Sequence, residues 1–301
     1  MLGLIDTDPG IDDALALLFA WGSPGLHLAG ITTVAGNVHV DDATVNLFRL
    51  LDLRRPTPTP PVARGAAQPL ARPLVTAQGY HGADGLGEVA GWPTVQPRLS
   101  PLDAADFLLD AVRRAREPLT LVALGPLTNV ALALQRAPAG LAGLERLVVM
   151  GGAVDVPGNV TTQAEFNIHV DPEAARLVLG AGLRLDLVPL DATHQAILPR
   201  SDLEEALRRR PGPVARRVAA FTDYALRVDV KRGGAGMPLH DPLAVAVALD
   251  PSLVAWESVR LRVGADGQTR RVAGAPNCRV ARTVDVARFL SVFLERLCPA
   301  S

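Results

Sequence analysis

Residues 2–18 read LGLIDTDPGIDDALALL, and the fold is decided there. Leu2 to Ile5 is a short apolar run, the pattern of a strand buried on both faces. Pro9 and Gly10 supply a turn, because proline presets one backbone angle and glycine accepts the next. Beyond the turn, Ala14, Leu15, Leu17 and Leu18 recur with helical spacing. The stretch therefore predicts strand, tight turn and helix. Asp6, Asp8, Asp12 and Asp13 fall at the strand's C-terminal edge and in the helix's first turn.

One acid in such a turn is explained by helix capping and by the helix dipole. Four within eight residues are not. Carboxylates packed this closely raise one another's pKa values unless a cation neutralises them. A hard divalent ion that takes several oxygen ligands meets that need. The spacing is not that of an EF-hand loop, so further ligands must come from elsewhere in the chain.

Outward from this stretch, Leu28–Val34, Leu119–Leu124, Leu144–Met150 and Leu183–Pro189 repeat the buried-strand pattern. Helical patterns follow from Asp41, over Asp103–Arg116, from residue 125 to about Ala137, from Asp171–Pro172, and over Asp285–Leu297. Two Arg-rich helical stretches cover about 201–229, their charge read as a solvated face. Residues 54–62 form a Pro-rich connector leading into a short extended segment, and 254–263 with 268–273 suggest a hairpin. Residues 64–100 are rich in Gly, Pro and Ala and predict a flexible surface loop, with HGADGLGE at 81–88 able to cover a site. A polar loop is expected from 151 to Val170. Strands alternating with helices indicate an α/β fold with an open, mostly parallel, Rossmann-like sheet flanked by helices, in a single domain over residues 1–301.

Composition narrows the function classes. Hydrophobic residues make up 49% and charged residues 20% of the 301, which suits one large core. With 30 Lys+Arg against 31 Asp+Glu, the net charge of −1 gives no basis for a nucleic-acid or anionic-membrane partner. Cys278 and Cys298, the two cysteines, have no metal-ligand spacing and no disulfide framework, so a reducing cytoplasm is expected. The N-terminus lacks the basic region of a signal peptide, and no apolar run approaches the roughly 20 residues of a membrane span.

In a parallel sheet, ligands bind outside the C-terminal ends of the strands. The groups expected there are Asp8, Asp12, Asp13, Asn37, Leu124, Met150, Asn159, Glu165 and Asn167, with His240 and Asp241 arriving late in the chain. Singly, each has an ordinary structural explanation, and His81 is as easily a loop residue. Polar groups at successive strand ends are harder to explain that way.

The segments DTDPGIDDALAL at 6–17, TTVAGN at 32–37, LGPLTN at 124–129, VVMGGA at 148–153, AEFNIHVDPEAA at 164–175 and PLHDPLAVA at 238–246 carry a family resemblance. In that order, the chain resembles the inosine–uridine preferring nucleoside hydrolases. The resemblance implies Ca²⁺-dependent hydrolysis of a ribonucleoside to base and ribose in nucleoside salvage. A metal-bound water is the implied nucleophile, and the transition state is oxocarbenium-like.

By the same resemblance, Asp8, Asp13, Asp241 and the carbonyl of Leu124 hold the ion, and Asp8 also takes the water's proton. The family often has threonine where Leu124 stands, but a carbonyl ligand does not depend on the side chain. Asp12, Asn37, Asn159, Glu165 and Asn167 bind ribose oxygens, with Met150 beneath the ring. His240, expected to titrate near neutrality, protonates the leaving base, and His81 is the second candidate. A homotetramer or homodimer is the implied assembly. Tyr224, Arg227 and Arg232 are expected to meet the base.

Two other readings use the same acids. In a haloacid-dehalogenase-type phosphohydrolase Asp6 would be the nucleophile and Asp8 the acid, but Gly10 stands where that motif has Thr or Val, and Asp12, Asp13 and His240–Asp241 have no role. A non-catalytic nucleoside-binding protein would keep the pocket without turnover.

Overall fold

The computed structural model of the protein describes residues 1–231 and 233–298. Eight strands form one central sheet: β1 (Leu2–Thr7), β2 (His27–Thr33), β3 (Val62–Arg64), β4 (Leu119–Ala123), β5 (Leu144–Met150), β6 (Leu185–Val188), β7 (Val254–Val259) and β8 (Cys278–Val284). Their spatial order is β3-β2-β1-β4-β5-β6-β8-β7, parallel throughout except that β7 runs antiparallel to β8 at one edge. The strand order reverses between β1 and β4, which pair in register from Leu2 with Leu119 to Asp6 with Ala123. The crevice above that reversal is where such sheets bind ligands.

Alternate residues of the central strands feed two separate cores. Ile5, Ile31, Val122, Val148 and Val188 face one layer, which includes the helices Ile11–Trp21 and His240–Leu249. Leu4, Leu121, Leu147 and Leu187 face the other, with Leu108, Val130 and Val178. Ile11 to Ala20 are all buried, as are Asp241 to Ala248, so these two helices are enclosed on every side. Each large apolar side chain buried this way contributes about 1.5–3 kcal/mol. Phe19 sets its ring 5.7 Å from that of Phe293 on the C-terminal helix Val286–Leu297. The surface helices start where their caps dictate: Asp103 accepts from the Asp106 amide at 3.0 Å, and Asp171, just before Pro172, from the Ala174 amide at 2.9 Å.

The structure departs from the sequence-based expectations in four places. Leu261–Val263 does pair with Thr269–Arg271, but Val254–Val259 joins the main sheet through β8 instead of extending the hairpin. Periodicity does not mark β8 because Arg279 and Arg282 interrupt its apolar run. Phe166–Val170 forms a short helix where a loop was expected, since Glu165 caps it through the amides of Asn167 and Ile168. Residues 78–81 are also helical, and the segment after them is tied down as described below. Among the described residues, no helix is long and apolar enough to cross a membrane.

Candidate active site

The loop after β1 is organised by Asp13. Its Oδ2 accepts from the Gly10 amide at 3.0 Å and from Asn37 Nδ2 at 2.8 Å. Its Oδ1 accepts from Thr7 Oγ1 at 2.5 Å and from the Asp8 amide at 3.3 Å. Asp13 thereby closes the first turn of helix Ile11–Trp21 and ties it to the loop after β2. Gly10 is required at its position: a Cβ there would come within 2.7 Å of His81 Nδ1 and 2.8 Å of Asn37 Nδ2.

Asp8 is fully buried between Gly36 and Gly125, where an added Cβ would lie 2.1 Å from its Oδ2 and 2.4 Å from its Oδ1 respectively. Oδ2 accepts from the Asn37 amide at 2.6 Å, while Oδ1 has no hydrogen-bond partner among the described residues. Asp241 enters from the first turn of helix His240–Leu249, and Asp12 from that of Ile11–Trp21. One carboxylate oxygen from each of Asp12, Asp13 and Asp241 lies within 4.8 Å of the others, and all three residues are buried.

Among the described residues, no lysine or arginine pairs with the cluster. The one ion-pair contact to it among the described residues is His81 Nδ1 at 3.9 Å from Asp12 Oδ1. Burial, with Asp13 close by, pushes Asp12 up to about 8. Burial first, then Asp13, lifts Asp8 well above the usual carboxylate range against the Asn37 amide. Asp241 is lifted likewise, by burial and then by Asp12, Asp13 and Asp8. Beneath them Asp6 rises to about 6 through burial, partly offset by hydrogen bonds from Thr32 and Asn129. A buried group of carboxylates with an orphaned oxygen and no lysine or arginine fits a hard metal ion. This cluster could hold one.

Above the acids lies a cavity of about 430 Å³. Ten of the twelve residues expected at the site line it: Asp12, Asn37, His81, Leu124, Met150, Asn159, Glu165, Asn167, His240 and Asp241. Asp8 and Asp13 stand directly behind this lining. Asn167 Nδ2 donates to the carbonyl of Leu124 at 2.6 Å and to that of Met150 at 3.2 Å, bridging the ends of β4 and β5. Glu165 Oε2 accepts from the amides of Gly152 at 2.9 Å and Ile168 at 3.1 Å, and its Oε1 from that of Asn167 at 2.8 Å. Burial still raises its pKa. Asn159 is exposed at the rim, its Oδ1 accepting from the Phe166 amide at 2.9 Å.

The two histidines are held from behind. His81 Nδ1 accepts from the Ile11 amide at 3.0 Å, which satisfies a free donor of the helix N-terminus. His81 is buried, not mobile on a surface loop: Asn46 Nδ2 donates to the Asp84 carbonyl at 2.7 Å, and Asp84 Oδ1 takes the amides of Leu86 and Glu88, each at 2.9 Å. His240 Nδ1 lies 2.7 Å from Thr193 Oγ1. Burial lowers His81 to about 4, and burial with His194 and His81 nearby lowers His240 to about 3. Burial thus favours the neutral form of both rings, where titration near neutrality was expected of His240.

Sequence reasoning missed Tyr80, Phe166, His194 and Asp229, which also line the cavity. Tyr80 donates its hydroxyl to Asp229 Oδ2 at 2.9 Å. His194 had a readable signal, its position six residues after β6 ends, whereas Tyr80 and Asp229 meet only in three dimensions. Tyr224 and Arg227, expected near the base, are not among the lining residues, and Arg227 pairs with Asp223 at 3.2 Å. Arg232 lies outside the described residues.

The chain matches the family model described as inosine-uridine preferring nucleoside hydrolase over residues 4–291. It is 39% identical to a pyrimidine-specific ribonucleoside hydrolase, RihA, of Salmonella newport, covering 98% of this chain and 97% of that protein. It is 40% identical to an uncharacterized protein of Schizosaccharomyces pombe, covering 98% of both. Its structure is similar to that of a plant nucleoside hydrolase, with a TM-score of 0.92 and 35% identity over 99% of this chain and 98% of that one. It is equally similar to a purine-preferring ribonucleoside hydrolase from Gardnerella vaginalis, with a TM-score of 0.92 and 31% identity over 99% and 98%. The sheet order, the acids at its reversal and the match along nearly the whole sequence agree, and the phosphohydrolase reading gives way: this chain is an N-ribosyl hydrolase of the inosine-uridine preferring nucleoside hydrolase family.

Proposed function

We propose that the chain hydrolyses the N-glycosidic bond of ribonucleosides with Ca²⁺ as its metal, and that the buried acids sort into metal-holding and sugar-binding groups. The observation that carries this reading is Asp8 Oδ1, a buried carboxylate oxygen with no partner beside three further acids. Asp8, Asp13 and Asp241 with the Leu124 carbonyl would hold the ion; that carbonyl accepts one hydrogen bond and keeps a second lone pair. A Ca²⁺ there would neutralise the cluster and make a water in its shell more acidic.

Asp8 Oδ1 accepts the proton of the attacking water, its Oδ2 being taken by Asn37. Asp12 and Asn37, at the cavity wall, take ribose hydroxyls. Asn159, Glu165 and Asn167 hold the remaining sugar oxygens, and Met150 packs beneath the ring. Positive charge that develops on the ribose as the bond breaks faces Asp12, Glu165 and Asp241, fixed acids with partly desolvated surroundings. His240, with His81 as the alternative, is the donor toward the leaving base. The free, buried Cys278 and Cys298 support a reducing cytoplasmic setting. Assembly as a homodimer or homotetramer follows the family resemblance and is checked by light scattering on the purified protein.

The test is release of free ribose from inosine, adenosine, guanosine, uridine and cytidine, with added Ca²⁺ and with a chelator. Chelator-sensitive release with recovery by Ca²⁺ is the expected result. Release that ignores the chelator would remove the metal from the reading, and bound Ca²⁺ without release from any nucleoside would leave a binding protein.

A further inference from the structure

We infer that Thr193 is a positioning residue that holds His240 as the tautomer with its proton on Nε2, so that both histidines of the cavity offer an Nε2–H donor to the leaving base. The inference rests on the proposed role of His240 and concerns a residue outside the acid cluster.

The argument is one of hydrogen-bond accounting. Thr193 is fully buried at the end of the short helix Leu190–Thr193. Buried helical threonines elsewhere in the chain give their hydroxyl to the carbonyl four residues back: Thr44 to Val40 at 2.6 Å and Thr222 to Val218 at 2.6 Å. For Thr193 that carbonyl belongs to Pro189, which already accepts the amides of Ala192 and Thr193, each at 3.0 Å. Among the described residues, the one partner left for the hydroxyl is His240 Nδ1 at 2.7 Å.

If the imidazole donated instead, a buried O–H would have no acceptor, and leaving such a donor unpaired costs about 1–3 kcal/mol. The hydroxyl therefore donates and Nδ1 accepts. In a neutral ring the proton then resides on Nε2, the nitrogen without a protein partner among the described residues, on a ring that lines the cavity. His81 is arranged the same way by a different device, because the Ile11 amide can only donate to its Nδ1. A backbone amide and a threonine hydroxyl thus set two rings alike, and the cavity presents two donors suited to acceptor atoms of a base, a ring nitrogen or a carbonyl oxygen.

The test compares Thr193→Val, which keeps shape but cannot donate, with Thr193→Ser, which can. A positioned donor at the charge that develops on a leaving group is worth about 10²–10³-fold. We expect Thr193→Val to lose about 10- to 100-fold in kcat/KM on natural nucleosides and less than about threefold on a nitrophenyl riboside, whose leaving group is stable as an anion without a donor. Thr193→Ser should restore the natural substrates. Nitrogen-15 NMR of histidine-labelled protein should show His240 protonated at Nε2 in the wild type and Thr193→Ser, and mixed in Thr193→Val. An unchanged tautomer in Thr193→Val overturns the inference, as does equal loss on both substrate classes. A changed tautomer with unchanged rates on nucleosides upholds the positioning and rejects a role of His240 at the leaving base, so the two failures are distinct.

Discussion

The two ends of the central sheet both bury carboxylates, and they treat them in opposite ways. Near the start of β6, Asp186 is fully buried and has Arg279 at 2.7 Å and Arg146 at 3.4 Å. Arg146 in turn donates to the carbonyl of Ala248 at 2.6 Å. At the other end, Asp8, Asp12 and Asp241 are as deeply placed with no arginine or lysine paired to them among the described residues, and all three are raised in pKa. A buried acid alone is therefore no sign of function. A buried acid whose charge the chain declines to balance is, because its burial is unfavourable until something else supplies the cation.

The comparison breaks most visibly at Asp8. Asp8→Asn keeps the shape and removes the charge, and ribose release should fall by about 10³-fold or more, in the range for losing a proton acceptor. Turnover within tenfold of wild type would mean that the unpaired oxygen has no chemical role. At the paired end, Asp186→Ala leaves Arg146 buried without its partner and should cost about 3–5 kcal/mol of stability. Urea unfolding measures this, and Ca²⁺ affinity of the folded variant should remain within about twofold. A lost Ca²⁺ site would show the two ends to be coupled.

Charge also separates the ends in substrate choice. None of the described residues lining the cavity is a lysine or arginine, and Asp12, Glu165, Asp229 and Asp241 are acidic. Nucleoside 5′-monophosphates should consequently be hydrolysed about 10²-fold more slowly than the nucleosides, roughly 2.7 kcal/mol. Comparable rates by a reducing-sugar assay would place a cation at the rim.

The smallest effect expected is a dependence of metal stabilisation on pH. Asp12 rises from 3.8 to about 8 in the cation-free fold. Its folded-state proton affinity thus stabilises below pH 4, and that contribution is lost as pH rises through about 8. Bound Ca²⁺ takes the place of those protons, so its stabilisation should be larger at pH 8 than at pH 5. Thermal unfolding with Ca²⁺ and with chelator at the two pH values gives the difference, and a shift independent of pH would mean that no acid of the cluster is protonated in the empty fold.

Much of the fold was legible from chain order and apolar runs. β1, β2, β4, β5 and β6 each carry a short apolar run, even where Glu145, Arg146 and Asp186 intervene, and a helix follows each of them in the chain. β8 was not, since Arg279 pairs with Asp186 and Arg282 with Asp191, and these partners exist only once the sheet has formed. The residues expected at the site were readable as a set, and ten of the twelve line one cavity. What the linear chain could not state is which donor reaches which atom. Glu165 was foreseen as a sugar ligand, yet three backbone amides also claim it. His81 sits in a segment whose composition reads as mobile, but Asn46 and Asp84 pin it from positions 38 apart in sequence. Tertiary partners, not local propensity, decided both cases.

The helices Ile11–Trp21 and His240–Leu249 begin at the acids and continue into the most enclosed part of the core. The acids Asp12, Asp13 and Asp241 are thus welded to the packing that holds the molecule together, while Tyr80, Phe166, His194 and Asp229 reach the same cavity from other segments. A lineage built on this plan can vary those cavity-lining residues by drift, while selection on stability alone keeps the packed acids in place. Relatives named for pyrimidines and for purines, on a shared scaffold, are the outcome such an architecture favours.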